Sequence, residues 1–254
     1  MEYDKYEVYN KDGNFHNKNG LVEIYYHDTG SIRSKWYYIN GELHNENGPA
    51  AVFYNKNENK SYEEYCINGK LHRENGPAEI YYYENGSIKS EWYYINGKLH
   101  RENGPAEIYY YENGSIKSEW YYINENVHRE NGPAIIYYNE NGNKSCEYYY
   151  IDGDLHNENG PAKVAYFSSG SIKTELWCIN GENHRIDGPA IIYYYENGLK
   201  ELERWYNHGV LHNENGPAEI YYKEDNIIMD KFYYINGKLM DELQIEVLKS
   251  LNNG

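Results

Sequence analysis

Residues 69–96 read GKLHRENGPAEIYYYENGSIKSEWYYIN, and residues 97–124 repeat these 28 letters without a change. Eight histidines keep the same spacing along the chain: His16, His44, His72, His100, His128, His156, His184 and His212. Met240 stands at the ninth position. A fixed period of this length is the sequence signature of a tandem-repeat architecture, in which each copy buries its apolar face against its neighbours. Nine such periods fill nearly the whole chain of 254 residues.

The composition argues against disorder and against an anionic partner. Disordered chains are poor in aromatic and β-branched residues, whereas this chain has 34 Tyr and 5 Trp. Its 24 basic and 40 acidic side chains give a formal net charge of −16. An acidic surface repels nucleic acid and anionic membranes. We therefore expect no direct nucleic-acid binding.

No targeting segment is visible in the sequence. The opening MEYDKYEVY has neither the basic nor the apolar region of a signal peptide, and no apolar run is long enough to span a membrane. The three cysteines lie in different repeats, and Cys66 and Cys178 are four units apart, too far to form a disulfide. Free thiols are typical of a reducing compartment. We expect a cytoplasmic or otherwise intracellular protein with no membrane insertion.

The turns and strands of one unit can be read directly from its letters. The clean units contain three Asn-Gly steps each, for example Asn96-Gly97, Asn103-Gly104 and Asn113-Gly114. Asn-Gly between β-forming segments is the strongest short hairpin signal. The segments between the turns are PAEIYYY, SIKSEWYYI and a short KLH, all too short for stable helices. We predict two main strands and one short strand per unit, with proline at the start of a strand.

Comparison of the copies indicates which face of each strand is buried. In the first main strand, alternate positions keep the residue types of Ala106, Ile108 and Tyr110, while the intervening positions vary. In the second, the position of Tyr93 is always aromatic. The position of Trp92 holds Glu or Arg in other copies and is therefore expected to face water. One constant face and one variable face are typical of a half-buried antiparallel sheet.

The sequence thus predicts an all-β fold. Residues 1–239 form an elongated tandem-repeat antiparallel sheet or solenoid of 28-residue units, and residues 240–254 form a C-terminal capping helix. The letters DELQ at residues 241–244 resemble a capping box. One side of the helix is apolar, with Leu243, Val247, Leu248 and Leu251. We expect this helix to cover the last strand edge; docking of a partner on the helix is the alternative.

The stretch YYYENGSIKSEWYYINGKLH, at residues 81–100, resembles the MORN-type repeat, especially the variant seen in bacterial antitoxin-like proteins. Units with H-R-x-x-G-P-A resemble those of uncharacterised repeat proteins of giant DNA viruses and phages. The resemblance covers roughly residues 12–239. It implies a scaffold or contact module and offers no catalytic residue. The period of 28 and the Gly-Pro step depart from the shorter MORN unit, so the resemblance leaves strand count and curvature open.

The histidine row does not predict a metal site. Imidazoles sharing one ion lie about 2.0–2.1 Å from it, whereas strand spacing puts successive histidines roughly 10–14 Å apart. The residue after each histidine is Arg or Asn, as in Arg101 and Asn45, and neither is a usual metal ligand. We predict instead that each ring hydrogen-bonds a backbone group at an Asn-Gly turn.

No catalytic site is predicted either. Many of the carboxylates lie on the variable face, which is expected to point into solvent. A repeated array also offers no single asymmetric pocket in which perturbed groups converge. The chain contains no nucleophile motif, phosphate-binding glycine loop or zinc-type cysteine cluster. The prediction is a protein that is not an enzyme, with no catalytic, metal-binding or cofactor-binding residue and no cofactor.

The function that remains is a non-enzymatic structural or protein-interaction module with an unidentified protein partner. The candidate partner-binding residues are Trp36, Trp92 and Trp120. Two alternatives stay open. The letters WYYING also resemble the aromatic repeats of cell-wall-binding modules, which hold choline-like groups or glycans by cation–π and stacking contacts. Alternatively, recurring glutamates such as Glu74 and Glu102 make the chain an acidic mimic of nucleic acid.

Overall fold

The computed structural model of the chain describes residues 21–252, without the side chains of residues 21–22, 242, 248–249 and 251–252. Within this range the chain is built of short β-strands, with one helix near its C-terminal end. The predicted all-β tandem-repeat fold is confirmed. The expectations for residues 1–20, among them the position of His16, and for residues 253–254 lie outside the described residues.

Each repeat contributes a first strand, a second strand and a short hairpin. The first strands are Leu21–Tyr26, Ala51–Tyr54, Glu79–Tyr82, Glu107–Tyr110, Ile135–Tyr138, Lys163–Tyr166, Ile191–Tyr194 and Glu219–Tyr222. The second strands are Ile32–Ile39, Lys60–Glu64, Ile88–Trp92, Ile116–Trp120, Lys144–Tyr148, Ile172–Leu176, Lys200–Arg204 and Ile228–Phe232. The remaining hairpin strands are Glu42–Leu43, Cys66–Ile67, Lys70–Leu71, Tyr94–Ile95, Lys98–Leu99, Tyr122–Ile123, Asn126–Val127, Tyr150–Ile151, Asp154–Leu155, Cys178–Ile179, Glu182–Asn183, Tyr206–Asn207, Val210–Leu211, Tyr234–Ile235 and Lys238–Leu239.

The chain divides into two compact units, Met1–Asn126 and Val127–Gly254. Within the first unit, consecutive main strands pair as an antiparallel meander. Glu107–Tyr110, for example, pairs on one side with Ile88–Trp92 and on the other with Ile116–Trp120. The first strand of one repeat therefore joins both its own second strand and that of the preceding repeat.

The second unit repeats this pairing. Lys163–Tyr166 lies between Lys144–Tyr148 and Ile172–Leu176, again antiparallel to both. The pairing within a repeat contains a β-bulge, which falls between Ala165 and Tyr166 here. The bulge recurs at the equivalent place in the other repeats, so every turn between first and second strand has the same geometry.

Both faces of the sheet contain buried side chains: Ala51, Cys66 and Leu202 on one face are at most 8% exposed, as are Ala106 and Ile108 on the other. The face with Ile108 carries the apolar residue types that recur in the repeats. Residues directly opposite each other in an antiparallel pair point to the same face, and Ile108 lies opposite both Glu91 and Glu119. Ala106 and Ile108 are 1% and 7% exposed, so the predicted burial of these positions is confirmed. We call the face with Ile108 the core face. In every repeat it contains the positions equivalent to Ala106, Ile108, Tyr110, Glu119 and Tyr121.

Carboxylates on the core face are satisfied by neighbouring tyrosines. The Tyr110 hydroxyl donates to Glu91 of the preceding repeat over 2.8 Å. The same bond joins Tyr82 to Glu63, Tyr166 to Glu147, Tyr194 to Glu175 and Tyr222 to Glu203. Lysines pair with three of these glutamates, as Lys60–Glu63, Lys144–Glu147 and Lys200–Glu203. These carboxylates therefore have internal partners and serve the fold.

The histidine row links each repeat to the next. Nδ1 of the ring accepts a hydrogen bond from the backbone N–H found 24 residues later, at the turn of the following hairpin. The pairs are His44–Asn68, His72–Asn96, His128–Asp152, His156–Asn180, His184–His208 and His212–Asn236. The predicted bond to the turn is confirmed for these six. His100, within the described residues, forms no such bond, and its turn carries Glu125 in place of glycine.

The alternation of Arg and Asn after the histidines has a common cause. Arg73 Nη1 donates to the carbonyl of Pro77 over 3.1 Å, and Asn45 Nδ2 donates to that of Pro49 over 2.9 Å. Both residue types therefore satisfy the same carbonyl, four residues later. The guanidinium of Arg73 also lies over the ring of Tyr65, with Cζ 3.8 Å from the centroid, a favourable cation–π geometry.

The C-terminal helix extends over Glu242–Asn252. Asp241 N–H donates to Gln244 Oε1, and Gln244 N–H donates to Asp241 Oδ1, at 3.1 and 2.9 Å. This reciprocal pair confirms the predicted capping box. Leu243 is 71% exposed, and a groove of about 900 Å³ separates this part of the helix from the last hairpin.

Among the described residues, no helix has the length and apolar character needed to cross a membrane.

The expected cover over the last strand is not formed at its apolar residues. In Ile228–Phe232, Ile228 and Met229 are about half exposed, at 50% and 54%. The helix begins three residues after the hairpin strand Lys238–Leu239. This short connection keeps the start of the helix next to the hairpin, and Leu243 and Val247 line the groove together with Ile235 and Leu239.

Candidate functional site

The face opposite the core carries the variable side chains of the main strands. Trp92 lies directly opposite Glu79 on one neighbouring strand and Glu107 on the other. Side chains at these positions therefore share a face, which alternates with the core face along each strand. We call it the aromatic face. In every repeat it contains the positions equivalent to Glu107, Tyr109, Ser118, Trp120 and Tyr122.

In the first unit, six rings of the aromatic face form an unbroken run of contacts across four repeats. Successive ring centroids are separated by 5.0 Å (Trp36–Phe53), 5.7 Å (Phe53–Tyr62), 4.7 Å (Tyr62–Tyr81), 5.8 Å (Tyr81–Trp92) and 6.3 Å (Trp92–Tyr109). All five separations fall in the range of about 4.5–7 Å that is favourable for aromatic pairs. The run provides a continuous aromatic strip along this unit.

The three tryptophans predicted as partner-binding residues share this face. Trp36 and Trp92 belong to the run of rings, and Trp120 occupies the same position in the next repeat. All three are partly buried, so the expectation that this position simply faces water is corrected: the rings pack against their neighbours. The indole N–H groups of Trp36 and Trp120 donate to the hydroxyls of Ser34 and Ser118, at 3.0 and 3.2 Å.

Trp92 differs from the other two tryptophans although its local sequence is the same as that of Trp120. Its indole N–H is buried and has no hydrogen-bond partner among the described residues. A buried donor without a partner costs about 1–3 kcal/mol. The fifth of the six rings in the strip therefore carries an unsatisfied polar atom.

Carboxylates are interleaved with the rings of this strip. Glu79 is only 8% exposed and lies directly opposite Glu64. The Tyr62 hydroxyl is 2.5 Å from Glu79 Oε1 and 3.3 Å from Glu64 Oε2. Tyr81 also donates to Glu79, and the Cys66 thiol donates to Glu64, at 3.3 and 3.1 Å. The expectation of solvent-exposed carboxylates on this face is wrong for Glu79, because tyrosines of two strands enclose it.

Burial and these carboxylates hold the nearby donors in their protonated forms. Burial, and then the hydrogen bond to Glu79, raises the pKa of Tyr62 far above its ordinary value of 10.0. Burial, and then the bond to Glu64, likewise raises the pKa of the Cys66 thiol. A protonated thiol is a poor nucleophile. Both groups therefore act as hydrogen-bond donors at neutral pH.

The second unit has a guanidinium at the position that Glu64 occupies in the first. Arg204 lies opposite Glu219, and its Nε and Nη2 are each 2.7 Å from Glu219 Oε1. Nη2 is also 3.4 Å from the hydroxyl of Tyr221. Glu219 and Tyr221 are the equivalents of Glu79 and Tyr81. The second unit thus supplies its own cation to this pair.

Other substitutions interrupt the strip in the second unit. Lys163 takes the position of Glu107, and its Nζ lies 5.1 Å from the ring centroid of Tyr148. Leu176 and Ile191 form an apolar pair at the equivalent place in the next repeat. The aromatic face of this unit is therefore occupied by its own cations and aliphatic side chains at several positions.

A cavity of about 350 Å³ opens on the aromatic face of the first unit. Its lining residues are Glu23, Tyr25, Arg33, Trp36, Tyr38 and Phe53, together with Ser34. The volume lies at the small end of the range for ligand pockets. The aromatic walls and the Glu23 carboxylate suit a cationic group, whereas Arg33 in the same lining repels one. Within residues 21–252, no three His, Cys, Asp or Glu side chains converge as metal ligands.

No protein-family model matches this sequence, and no curated protein matches it. Among solved structures, the chain is similar to part of TcdB2-TccC3, with 13% identity over 94% of this chain and 14% of that one, at a TM-score of 0.20. TcdB2-TccC3-Cdc42 gives 13% identity over 87% of this chain and 14% of that one, at 0.18. The chain thus spans 14% of the length of these structures. TM-scores of 0.20 and 0.18 are too low to show a shared fold or function.

Proposed function

We propose that this chain is a non-enzymatic protein-interaction module whose contact surface is the aromatic face of the first unit. The observation that carries the proposal is the unbroken run of six rings from Trp36 to Tyr109. Aromatic side chains are enriched at the energetic centres of protein interfaces, where they supply large contact area at low entropic cost. The resemblance to MORN-like repeats, which implies a scaffold or contact module, is consistent with this proposal.

The distribution of internal bonds also favours this face. On the core face, glutamates are bonded to tyrosines and lysines of the chain itself, and the hairpins are closed by the histidine row. On the aromatic strip, Glu64 and Glu79 are also bonded to tyrosines and a thiol of the chain, but they have no cation, and the rings beside them are partly exposed. A surface of this chemistry is suited to a partner that brings apolar groups and positive charge. The proposal requires no cofactor.

A second candidate function is the binding of a small cationic ligand, such as a choline-like group. The observation that favours it is the cavity of about 350 Å³ walled by Trp36, Phe53 and Tyr38. A quaternary ammonium held over such rings gains cation–π attraction. Calorimetric titration with choline distinguishes this function from protein binding, since only a cavity site takes up the free small molecule.

The proposal is tested with a variant that keeps the fold while removing the indole rings. This variant is Trp36→Leu/Trp92→Leu/Trp120→Leu. Leucine is chosen because the second unit has a leucine, Leu176, at the equivalent position. The matched control changes three rings of the second unit, with Tyr137→Leu/Tyr193→Leu/Tyr221→Leu. Each protein is immobilised and exposed to extract from its native source, and retained proteins are quantified by mass spectrometry.

We expect the wild type and the control to retain the same partner, and the triple tryptophan variant to retain at most a tenth as much. Circular dichroism verifies that both variants are folded. Equal retention by the folded tryptophan variant contradicts the proposed contact surface. Competition by duplex DNA for the retained partner at low salt supports nucleic-acid mimicry instead.

A further inference from the structure

We infer that the Glu64–Glu79 pair on the aromatic face binds the guanidinium group of an arginine side chain presented by a protein partner. This inference rests on the proposed function, because it names the chemistry that the aromatic strip of the first unit recognises. It concerns one position within that strip and is therefore tested separately from the tryptophans.

The first step is the arrangement of the two carboxylates. Glu64 and Glu79 lie directly opposite each other on neighbouring strands, a placement in which like charges repel. The donors that reach them are the hydroxyls of Tyr62, Tyr81 and Tyr94 and the thiol of Cys66. Within the described residues, no Lys, Arg or His forms an ion pair with either glutamate. The pair therefore has hydrogen-bond donors and no countercharge.

The second step is independent of the first and comes from the other unit. Arg204 stands at the position of Glu64, and its guanidinium contacts both Glu219 and Tyr221. These two residues are the equivalents of Glu79 and Tyr81. The repeat thus binds a guanidinium at this position when the chain provides one. The same two residues are present in the first unit, where the Tyr62 hydroxyl contacts the Glu79 carboxylate and Glu64 stands in place of the arginine. In the second unit Leu202 replaces Tyr62.

The third step concerns the preference for arginine. A guanidinium is planar, so it stacks on rings and bonds carboxylates in a fixed fork, which a lysine ammonium does not do. The rings of Tyr62 and Tyr81 contact each other, with centroids 4.7 Å apart, and lie next to the carboxylates on one side. The chain itself places Arg73 and Arg101 over tyrosine rings at 3.8 and 3.9 Å. Glu64 is only partly buried, so an arginine from outside can approach it.

The test fills the position with an arginine of the chain. In Glu64→Arg the new guanidinium faces Glu79 as Arg204 faces Glu219, so the variant is expected to stay folded and to exclude an external arginine. Glu112→Arg is the matched control, since it makes the same charge change at an exposed turn. The probes are fluorescein-labelled octa-arginine and octa-citrulline, the second having uncharged side chains of nearly the same shape. Binding is measured by fluorescence anisotropy at 150 mM salt.

We expect octa-arginine to bind the wild type and Glu112→Arg with affinities within about twofold of each other. For Glu64→Arg we expect binding about tenfold weaker or more, since hydrogen bonds to a charged group contribute about that much. Octa-citrulline is expected to bind the wild type at least tenfold more weakly than octa-arginine. Equal binding of octa-arginine by Glu64→Arg and Glu112→Arg, or no binding by the wild type, overturns the inference.

The failure of this inference is distinguishable from the failure of the proposed function. If the triple tryptophan variant loses the native partner while Glu64→Arg keeps it and still binds octa-arginine, the strip is the contact surface and the arginine site is wrong. If the tryptophan variant keeps the native partner while only Glu64→Arg loses octa-arginine, the arginine site stands and the tryptophan contact surface is wrong.

Discussion

Nδ1 of His72 accepts a hydrogen bond from the backbone N–H of Asn96, 3.1 Å away and 24 residues later. The ring of one repeat thereby closes the turn of the next repeat. The backbone bond from Gly97 N–H to the Leu71 carbonyl, at 2.8 Å, joins the same two hairpins. Both links connect neighbours in sequence, as do the pairings between main strands. Coupling through nearest neighbours is the expected basis of stability in a repeat protein.

The first prediction is that one whole repeat can be removed. Deletion of residues 97–124 joins Asn96 to Glu125 and so recreates the Asn-Glu sequence already present at residues 124–125. We expect a folded chain that melts cooperatively, at a temperature a few degrees lower because one interface between repeats is lost. Circular dichroism and thermal melting are the measurements.

The control for this deletion removes half a period, residues 97–110. It removes the first strand Glu107–Tyr110 and keeps the second strand Ile116–Trp120. Two second strands then follow each other, so the antiparallel meander is broken, and we expect loss of cooperative melting. A whole-repeat deletion that behaves like the half-repeat deletion contradicts coupling between neighbours.

The second prediction concerns Glu125, which stands where other hairpins have glycine. Its φ of 68° lies in the left-handed region, which costs a residue other than glycine about 1 kcal/mol. Glu125→Gly should therefore stabilise the fold by about 1 kcal/mol, raising the melting temperature by about 2–4 °C. The ion pair of Glu125 with Lys98, at 3.8 Å between exposed side chains, offsets little of this gain.

Glu125→Ala separates the two effects in the same melting experiment. It removes the carboxylate but keeps a side chain at positive φ, so no stabilisation is expected. Equal gains from alanine and glycine show that the carboxylate, and not the backbone conformation, is the source of strain.

The third prediction is a pH dependence located at His184 and His208. Their rings are stacked with centroids 4.2 Å apart. Burial, and then the neighbouring His208, lowers the pKa of His184 below its ordinary 6.5, and Glu182 acts in the opposite direction. The unfolded chain then binds more protons than the folded chain below about pH 6.5. The stabilisation is present above this pH and is lost as pH falls further.

His208→Asn restores the asparagine found in most hairpins and removes the second ring. We expect this variant to lose less thermal stability than the wild type between pH 7.5 and 5.5. Asn180→His builds the same pair beside His156 in the preceding repeat and should increase the loss. Melting curves at the two pH values give the comparison, and equal losses in all three proteins exclude a role for the pair.

Features that depend on one repeat, or on two neighbouring ones, could be predicted from the sequence. The Asn-Gly turns, the burial of Ala106 and Ile108, and the bond from each turn to a histidine depend on residues that recur at the fixed period. The capping box at Asp241 and Gln244 is likewise a local pattern. Repetition identified these positions because the same physical role selects the same residue in most copies.

The aromatic face was harder to predict because residues that face each other on neighbouring strands vary in pairs from repeat to repeat. Variation at the position of Trp92 predicts exposure to water, and this prediction is wrong. In the structure the residue 15 positions later is its partner across the strands, so the pairs Arg204–Glu219 and Leu176–Ile191 change as units. Reading the sequence at a spacing of 15 residues would have shown these matched pairs. The same reading would have singled out Glu64–Glu79, where two like charges meet.

The Arg204–Glu219 pair also has an evolutionary consequence. A single codon change at this position decides whether a repeat neutralises its own carboxylate or leaves it open, and the backbone ladder on either side is unaffected. Substitution of one residue in a repeat can therefore change how many glutamates of the aromatic face lack a cation from the chain. The number of positively charged groups that the chain can bind changes with it, while the strand pairing stays the same.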